Sequence, residues 1–112
     1  MTKNKRRGAV PIHPGEILLE EFLKAYTPPV SQVEAADRMH IPKVRLNQLI
    51  RGKRGVTPDT ALRLADLTGT SAEFWMNLQC RYDLWQAGEA RAHRKESKIR
   101  PLARASSILL SA

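Results

Sequence analysis

With 112 residues and 12.6 kDa, the chain has room for one compact domain with short flanking segments, not two. Its 42% apolar content excludes wholesale disorder, no run of about 18 apolar residues exists to cross a membrane, and a lone cysteine, Cys80, excludes an internal disulfide or a cysteine zinc site. A net charge of +8 points to a polyanion as partner, while 5% aromatic content leaves few stacking platforms for a single strand.

The basic start, Lys3-Asn4-Lys5-Arg6-Arg7, is followed by no apolar stretch and does not read as a secretory signal. Together with the cysteine usage, this gives a cytoplasmic protein as the expectation. Residues 1–12 read as a basic arm. A first helix is expected to open at His13-Pro14-Gly15-Glu16, because proline suits a first turn where its missing N–H is not needed. Leu18, Leu19, Phe22, Leu23 and Tyr26 supply its apolar stripe, and Thr27-Pro28-Pro29 ends it.

Ser31-Gln32-Val33-Glu34 is a capping box that opens a second helix, with Val33, Ala36 and Met39 on one side. After the short turn His40-Ile41, a third helix runs from Pro42 to about Arg51. Leu46, Leu49 and Ile50 form its buried side, and Gly52 stops it. Thr57-Pro58-Asp59 starts a fourth helix, and Gly69 closes it. Thr70-Ser71-Ala72-Glu73 reads as a second capping box. It leads a fifth helix through Phe74, Trp75, Leu78, Tyr82, Leu84 and Trp85. The expected architecture is an all-α, five-helix bundle over residues 13–92, with 93–112 a basic, flexible tail.

The charge is uneven along this order. Residues 1–13 carry +4, 14–37 carry −4, 38–63 carry +6, 64–90 carry −3 and 91–112 carry +5. The central basic band coincides with helix three and the loop after it. Helices two and three are short, joined by a tight turn, and the third has an apolar back and a polar, basic front. Those are the requirements of a helix-turn-helix, whose second helix lies in the DNA major groove.

Ser31-Gln32-Val33-Glu34-Ala35-Ala36-Asp37-Arg38-Met39, then Ile41, Leu46, Leu49 and Gly52, resembles the helix-turn-helix of phage-repressor-type (Cro/C1, XRE) proteins. A longer series resembles the HigA antitoxins, also called the virulence-associated protein I family. It comprises His13-Pro14-Gly15-Glu16-Ile17-Leu18, Gly52-Lys53-Arg54-Gly55-Val56-Thr57, Ala61-Leu62-Arg63-Leu64-Ala65, Gly69-Thr70-Ser71, Glu73-Phe74-Trp75-Met76-Asn77-Leu78-Gln79 and Tyr82-Asp83-Leu84-Trp85. Lys98-Ile99-Arg100-Pro101 is similar to a common ending of that family. Two positions depart from the usual pattern. His40 stands where a turn glycine is frequent, which calls for a left-handed conformation that histidine tolerates better than most residues, and Tyr26 to Val30 carries two prolines.

The resemblance implies a lambda-repressor-like fold and two roles. One is binding of double-stranded operator DNA as a homodimer to repress its own operon. The other is neutralising a HigB-type toxin, an mRNA-cleaving ribonuclease. It also implies that Gln32 orients on a phosphate. Lys43 and Val44, in the first turn of helix three, would meet base edges, with Asn47 and Gln48 one turn later in an amide pattern suited to adenine. Arg45, Arg51, Lys53 and Arg54 would meet phosphates. Trp75, Leu78, Tyr82 and Trp85 share one side of helix five and are the candidate dimer interface, with Phe74 and Leu78 expected mainly in the core and Tyr82 and Trp85 nearer the subunit boundary.

Catalysis finds no support in the residue pattern. His13, His40 and His93 lie beside different helix ends, where a capping or surface role is the ordinary one. Glu20 and Glu21 are adjacent and cannot face each other on a helix. No cofactor or metal is expected, and Cys80 reads as a small packing residue. Two other readings remain open from sequence: a helix-turn-helix repressor without a toxin, and a basic adaptor that binds only protein.

Overall fold

Among residues 10–103, which the computed structural model describes, there are five α-helices, two short helical turns of other kinds and no strand. The α-helices are α1 (Pro14–Ile17), α2 (Gln32–Met39), α3 (Lys43–Ile50), α4 (Pro58–Thr68) and α5 (Ala72–Ala92). Most of the basic arm and the end of the tail lie outside the described residues. Between Arg94 and Ala103 the chain forms no helix and is exposed.

The ends of the helices follow local chemistry. His13 caps α1, its Nδ1 accepting from the Gly15 N–H at 2.9 Å, with Pro14 in the first turn. Ser31 accepts from the Glu34 N–H at 3.1 Å, but Glu34 pairs with Arg38 at 2.8 Å instead of completing the box. Thr57 accepts from the Thr60 N–H and Gly69 ends α4 in the left-handed region. The cap of α5 is Ser71, one residue later than the start of the expected box. Thr70 is diverted to accept from the Trp75 indole N–H at 2.8 Å.

The first helix departs from expectation. Its α-helical turn passes into a π-helical turn, Leu18–Phe22, and then a 3-10 turn, Leu23–Ala25. The Leu23 N–H reaches the Leu18 carbonyl, five residues back, and this wider turn stacks both leucines inward at 0% and 1% exposure. Tyr26 therefore leaves the stripe and is exposed. Beyond it, the Val30 N–H returns to the Leu23 carbonyl at 2.9 Å and closes the Pro28-Pro29 loop, in which the Thr27–Pro28 bond is cis.

Between α2 and α3 the chain turns at His40, whose φ of 60° and ψ of 42° are left-handed as anticipated. The Ile41 N–H bonds back to the Ala36 carbonyl at 3.0 Å, which seals the end of α2 and tucks Ile41 into the core. Leu18, Leu23, Leu46, Leu49, Leu64 and Trp75 form the middle of that core. Fully buried Ala35 and Ala61 let the helices approach closely around it. Each buried leucine contributes about 1.5–3 kcal/mol relative to an exposed one. Val33 is 58% exposed, because the core takes Ala35, Ala36 and Met39 from α2 and the side chain of Val33 projects away from them.

Candidate nucleic-acid interface

The apolar back of α3 is buried through Leu46 and Leu49, which turns its other faces outward. Lys43 and Val44 are exposed in its first turn, Val44 at 63%. Arg51, Lys53 and Arg54 follow in the exposed loop after it. Among the described residues, the side chains of Lys43, Arg51 and Lys53 hold no hydrogen-bond or ion-pair partner. Helix and loop thus expose four cations, Lys43, Arg51, Lys53 and Arg54.

The remaining predicted side chains are tied into networks. Asn47 donates to Gln32 Oε1 at 3.0 Å, which joins the first turn of α2 to α3. Gln48 Oε1 accepts two bonds from Arg54, from Nε at 3.1 Å and Nη2 at 2.9 Å. Arg45 is half-buried against α4, where its guanidinium meets Thr60 Oγ1 at 2.8 Å and Asp59 at 3.3 Å. It braces α3 on α4 rather than standing with the exposed cations of the loop. Asp59 also accepts from Arg63 at 2.9 Å, and Arg63 reaches the Met39 carbonyl at the end of α2. The Arg63 hydrogen bond, with the Arg45 contact adding to it, holds the Asp59 carboxyl below its ordinary range.

Two residues outside the predicted set fix the loop and the start of α1. Gln79 of α5 is buried, accepts from the Val56 N–H at 2.7 Å and donates to Asp83 at 2.8 Å. It fastens the end of the basic loop to α5, and Gly55 lies close beside it, where a Cβ would come within 3.0 Å of the Gln79 amide. One sequence signal could have found it: Gln79 is a polar residue one turn after Trp75 on the inward stripe. His13, besides capping α1, meets Tyr82 edge-on at 4.9 Å. Burial pushes its imidazole below the usual value, against the opposing fields of Asp83 and Glu16, so the neutral ring needed to accept at Nδ1 is favoured.

The Gln79 bond yields a direct expectation. Gln79→Ala strands the Val56 N–H and should cost about 1–3 kcal/mol of unfolding free energy in urea titration. Gln79→Glu keeps the acceptor but sets a carboxylate against Asp83. Adding Asp83→Asn restores a donor and should recover most of the loss. An equal cost with and without Asp83→Asn would remove the paired role assigned to these side chains.

The aromatic stripe of α5 divides along its length. Trp75 is fully buried, with Phe22 at 5.4 Å and Phe74 at 5.1 Å between ring centres. It leaves no surface for a second subunit and belongs to the core, a correction to its place in the expected interface. The expected assignment of Phe74 to the core holds only in part, since the ring is 37% exposed. Leu78, Tyr82 and Trp85 are half-buried, and Leu78 and Trp85 line a groove with Val10, Ile12 and Ile17. Cys80 is exposed rather than packed, since five residues beyond Trp75 place it about 140° round the helix. Among the described residues, no group of three or more acidic, His or Cys side chains could hold a metal, and no helix is long and apolar enough to cross a membrane.

Residues 30–75, from the loop before α2 into the first turn of α5, match the helix-turn-helix family. Virulence-associated protein I of Dichelobacter nodosus is 46% identical over 76 residues, 68% of either chain. Antitoxin HigA-1 of Vibrio cholerae is 35% identical over 104 residues, 91% of this chain and 90% of its own. In three dimensions, the Pseudomonas aeruginosa antitoxin HigA, solved with the higBA promoter, superposes with a TM-score of 0.74 at 41% identity, covering 83% of this chain and 99% of that one. On these likenesses the chain belongs to the HigA antitoxin family of helix-turn-helix regulators, which are not enzymes.

Proposed function

We propose that the protein is a cytoplasmic antitoxin that binds its operator as a homodimer, represses its own operon and masks a HigB-type ribonuclease toxin. The observation that carries the DNA half is the exposed surface of Lys43, Val44, Arg51 and Lys53 on α3 and its loop, braced from behind by Arg45 and Gln79. A major groove admits one such helix, and Lys43 can donate to guanine acceptors while Val44 contacts a thymine methyl. Gln32 at the N-terminus of α2 supports a phosphate contact, as do the loop cations. Asn47 supports this reading by holding Gln32 in place.

A single short helix reads few bases, so two half-sites about 34 Å apart are needed for useful specificity. Leu78, Tyr82 and Trp85, half-buried on α5 beside the apolar groove, are the surface we assign to the second copy. Within this scheme residues 1–12 and 93–112 are basic flanks to a DNA-binding and dimerising unit over 13–92. The toxin half rests on membership of the family.

The test is binding of the full chain to a palindrome upstream of its own gene. Log affinity should fall with log salt at a slope of about −5 if roughly six phosphates per dimer are neutralised. Equal affinity for a scrambled duplex would defeat the operator reading. Co-expression with the neighbouring gene should yield a co-purifying complex and relieve growth arrest. If no partner gene product binds, a repressor without a toxin is the reading that stands.

A further inference from the structure

An amide side chain reads adenine by using both ends, donating to N7 and accepting from the N6 amino group. Gln48 does not have both ends available. Arg54 places Nε and Nη2 on its single oxygen, at 3.1 and 2.9 Å. A guanidinium has donors only, so the atom it faces is necessarily the carbonyl oxygen. Two donors fill the two lone pairs of that oxygen. What Gln48 retains is its NH₂ group, a pair of donors.

Gln48 also stands where a base reader should. It lies four residues after the exposed Val44 and therefore on the same side of α3. Arg54 comes from the loop beyond Gly52, whose φ of 75° turns the chain back toward that helix. The Lys53 N–H bonds to the Gln48 backbone carbonyl at 2.8 Å, which holds the loop close enough for the side chains to meet.

We propose that Arg54 is a positioning residue that makes Gln48 a donor-only reader, selective for a base whose major-groove edge offers acceptors: guanine through O6 and N7, or thymine through O4. Adenine and cytosine are disfavoured at that position, because each presents an amino group that needs the acceptor Arg54 has taken. This rests on the operator-binding reading above and refines it at one base pair. It departs from two sequence expectations, that Gln48 suits adenine and that Arg54 meets a phosphate.

The test uses the full chain and a panel of operator duplexes in which each base pair of the half-site is replaced in turn by the other three. Wild type, Gln48→Ala, Arg54→Ala and Arg54→Lys are compared by competition binding, with folding checked by thermal melting. Gln48→Ala should flatten the preference at one position. Wild type should prefer guanine or thymine there, the panel showing which, by about tenfold over adenine. Arg54→Ala frees the oxygen of Gln48 and should raise relative affinity for adenine at that position alone, by a similar factor. Arg54→Lys, with one donor group in place of a fork, should fall between.

Arg54→Ala weakening every duplex by one factor with base preferences intact would overturn the proposal in favour of a phosphate contact. So would a preference for an A·T pair that is lost when its adenine is replaced by purine, which lacks the N6 amino group, or the absence of any position that Gln48→Ala flattens. If wild type fails to distinguish operator from scrambled duplex, the operator reading itself falls, an outcome separate from these.

Discussion

Trp75→Ala is expected to lower the unfolding free energy by about 3–5 kcal/mol. For a domain of this size that is a fall in melting temperature of at least roughly 12 °C. Trp75 is wholly buried and packs against Phe22 in the π-helical turn and Phe74 on its own helix. Its indole N–H anchors a chain of hydroxyls: Thr70 at 2.8 Å, then Thr68 at 2.9 Å, which also meets the Leu64 carbonyl at 2.7 Å near the end of α4. Removing the ring opens a cavity between three elements and unties the α4–α5 connection. Trp75→Phe separates the two effects, since it keeps most of the packing and loses the N–H; it should cost about 1–3 kcal/mol. Urea unfolding at matched protein concentration measures both. A loss below about 1 kcal/mol for Trp75→Ala would mean that the ring does not anchor the core.

That residue illustrates what was legible in the sequence. Helix starts and stops were, because a cap or a first-turn proline acts within three or four residues. Pro14, Ser31, Thr57 and Gly69 occupy the roles their types suggest. The left-handed His40 was legible for the same reason. The π-helical turn was not. Whether Leu18 aligns with residue 22 or 23 depends on what the rest of the core asks of both positions. Thr70 and Ser71 can each cap a helix, and the choice fell to Ser71 because Trp75, once buried, claims the Thr70 hydroxyl.

In the site, residue types were visible but pairings were not. Arg45 and Asp59 are fourteen residues apart, Asn47 and Gln32 fifteen, Val56 and Gln79 twenty-three. Each contact exists only once helices cross, and each changes a role. Arg45 passes from the exposed basic set to a brace, and Gln79 becomes a strut for the loop. The +6 over residues 38–63 is accordingly two populations. Arg38 pairs with Glu34, and Arg45 and Arg63 share the single carboxylate of Asp59, while Lys43, Arg51, Lys53 and Arg54 carry no carboxylate partner among the described residues.

Gly15→Ala should be strongly destabilising for a single added methyl and should weaken DNA binding as well. Gly15 is buried in the first turn of α1, where a Cβ would overlap the Leu49 carbonyl oxygen and lie 2.6 Å from the Leu49 carbonyl carbon and 2.8 Å from the Ile50 Cα. All are backbone atoms of the last turn of α3, so no side chain can swing aside. Either α1 lifts from the core or α3 moves. Buried Leu46 and Leu49 and the Arg45 brace to α4 hold α3 in the core, so the strain falls on the turn that leads into Arg51 and the basic loop. The expected cost is at the upper end of about 1–3 kcal/mol or beyond, with a weaker operator complex even where the protein remains folded. Gly88→Ala makes the same chemical change about one turn before the C-terminal end of α5, where a Cβ meets nothing within 4 Å. There the better helix propensity of alanine should stabilise by about 0.5–1 kcal/mol. The two variants, compared by urea unfolding and by operator binding under identical salt, should move in opposite directions in stability, and only Gly15→Ala should lose affinity. If Gly15→Ala is as stable as wild type, the backbone-to-backbone contact between α1 and α3 is not what seats the DNA-facing helix.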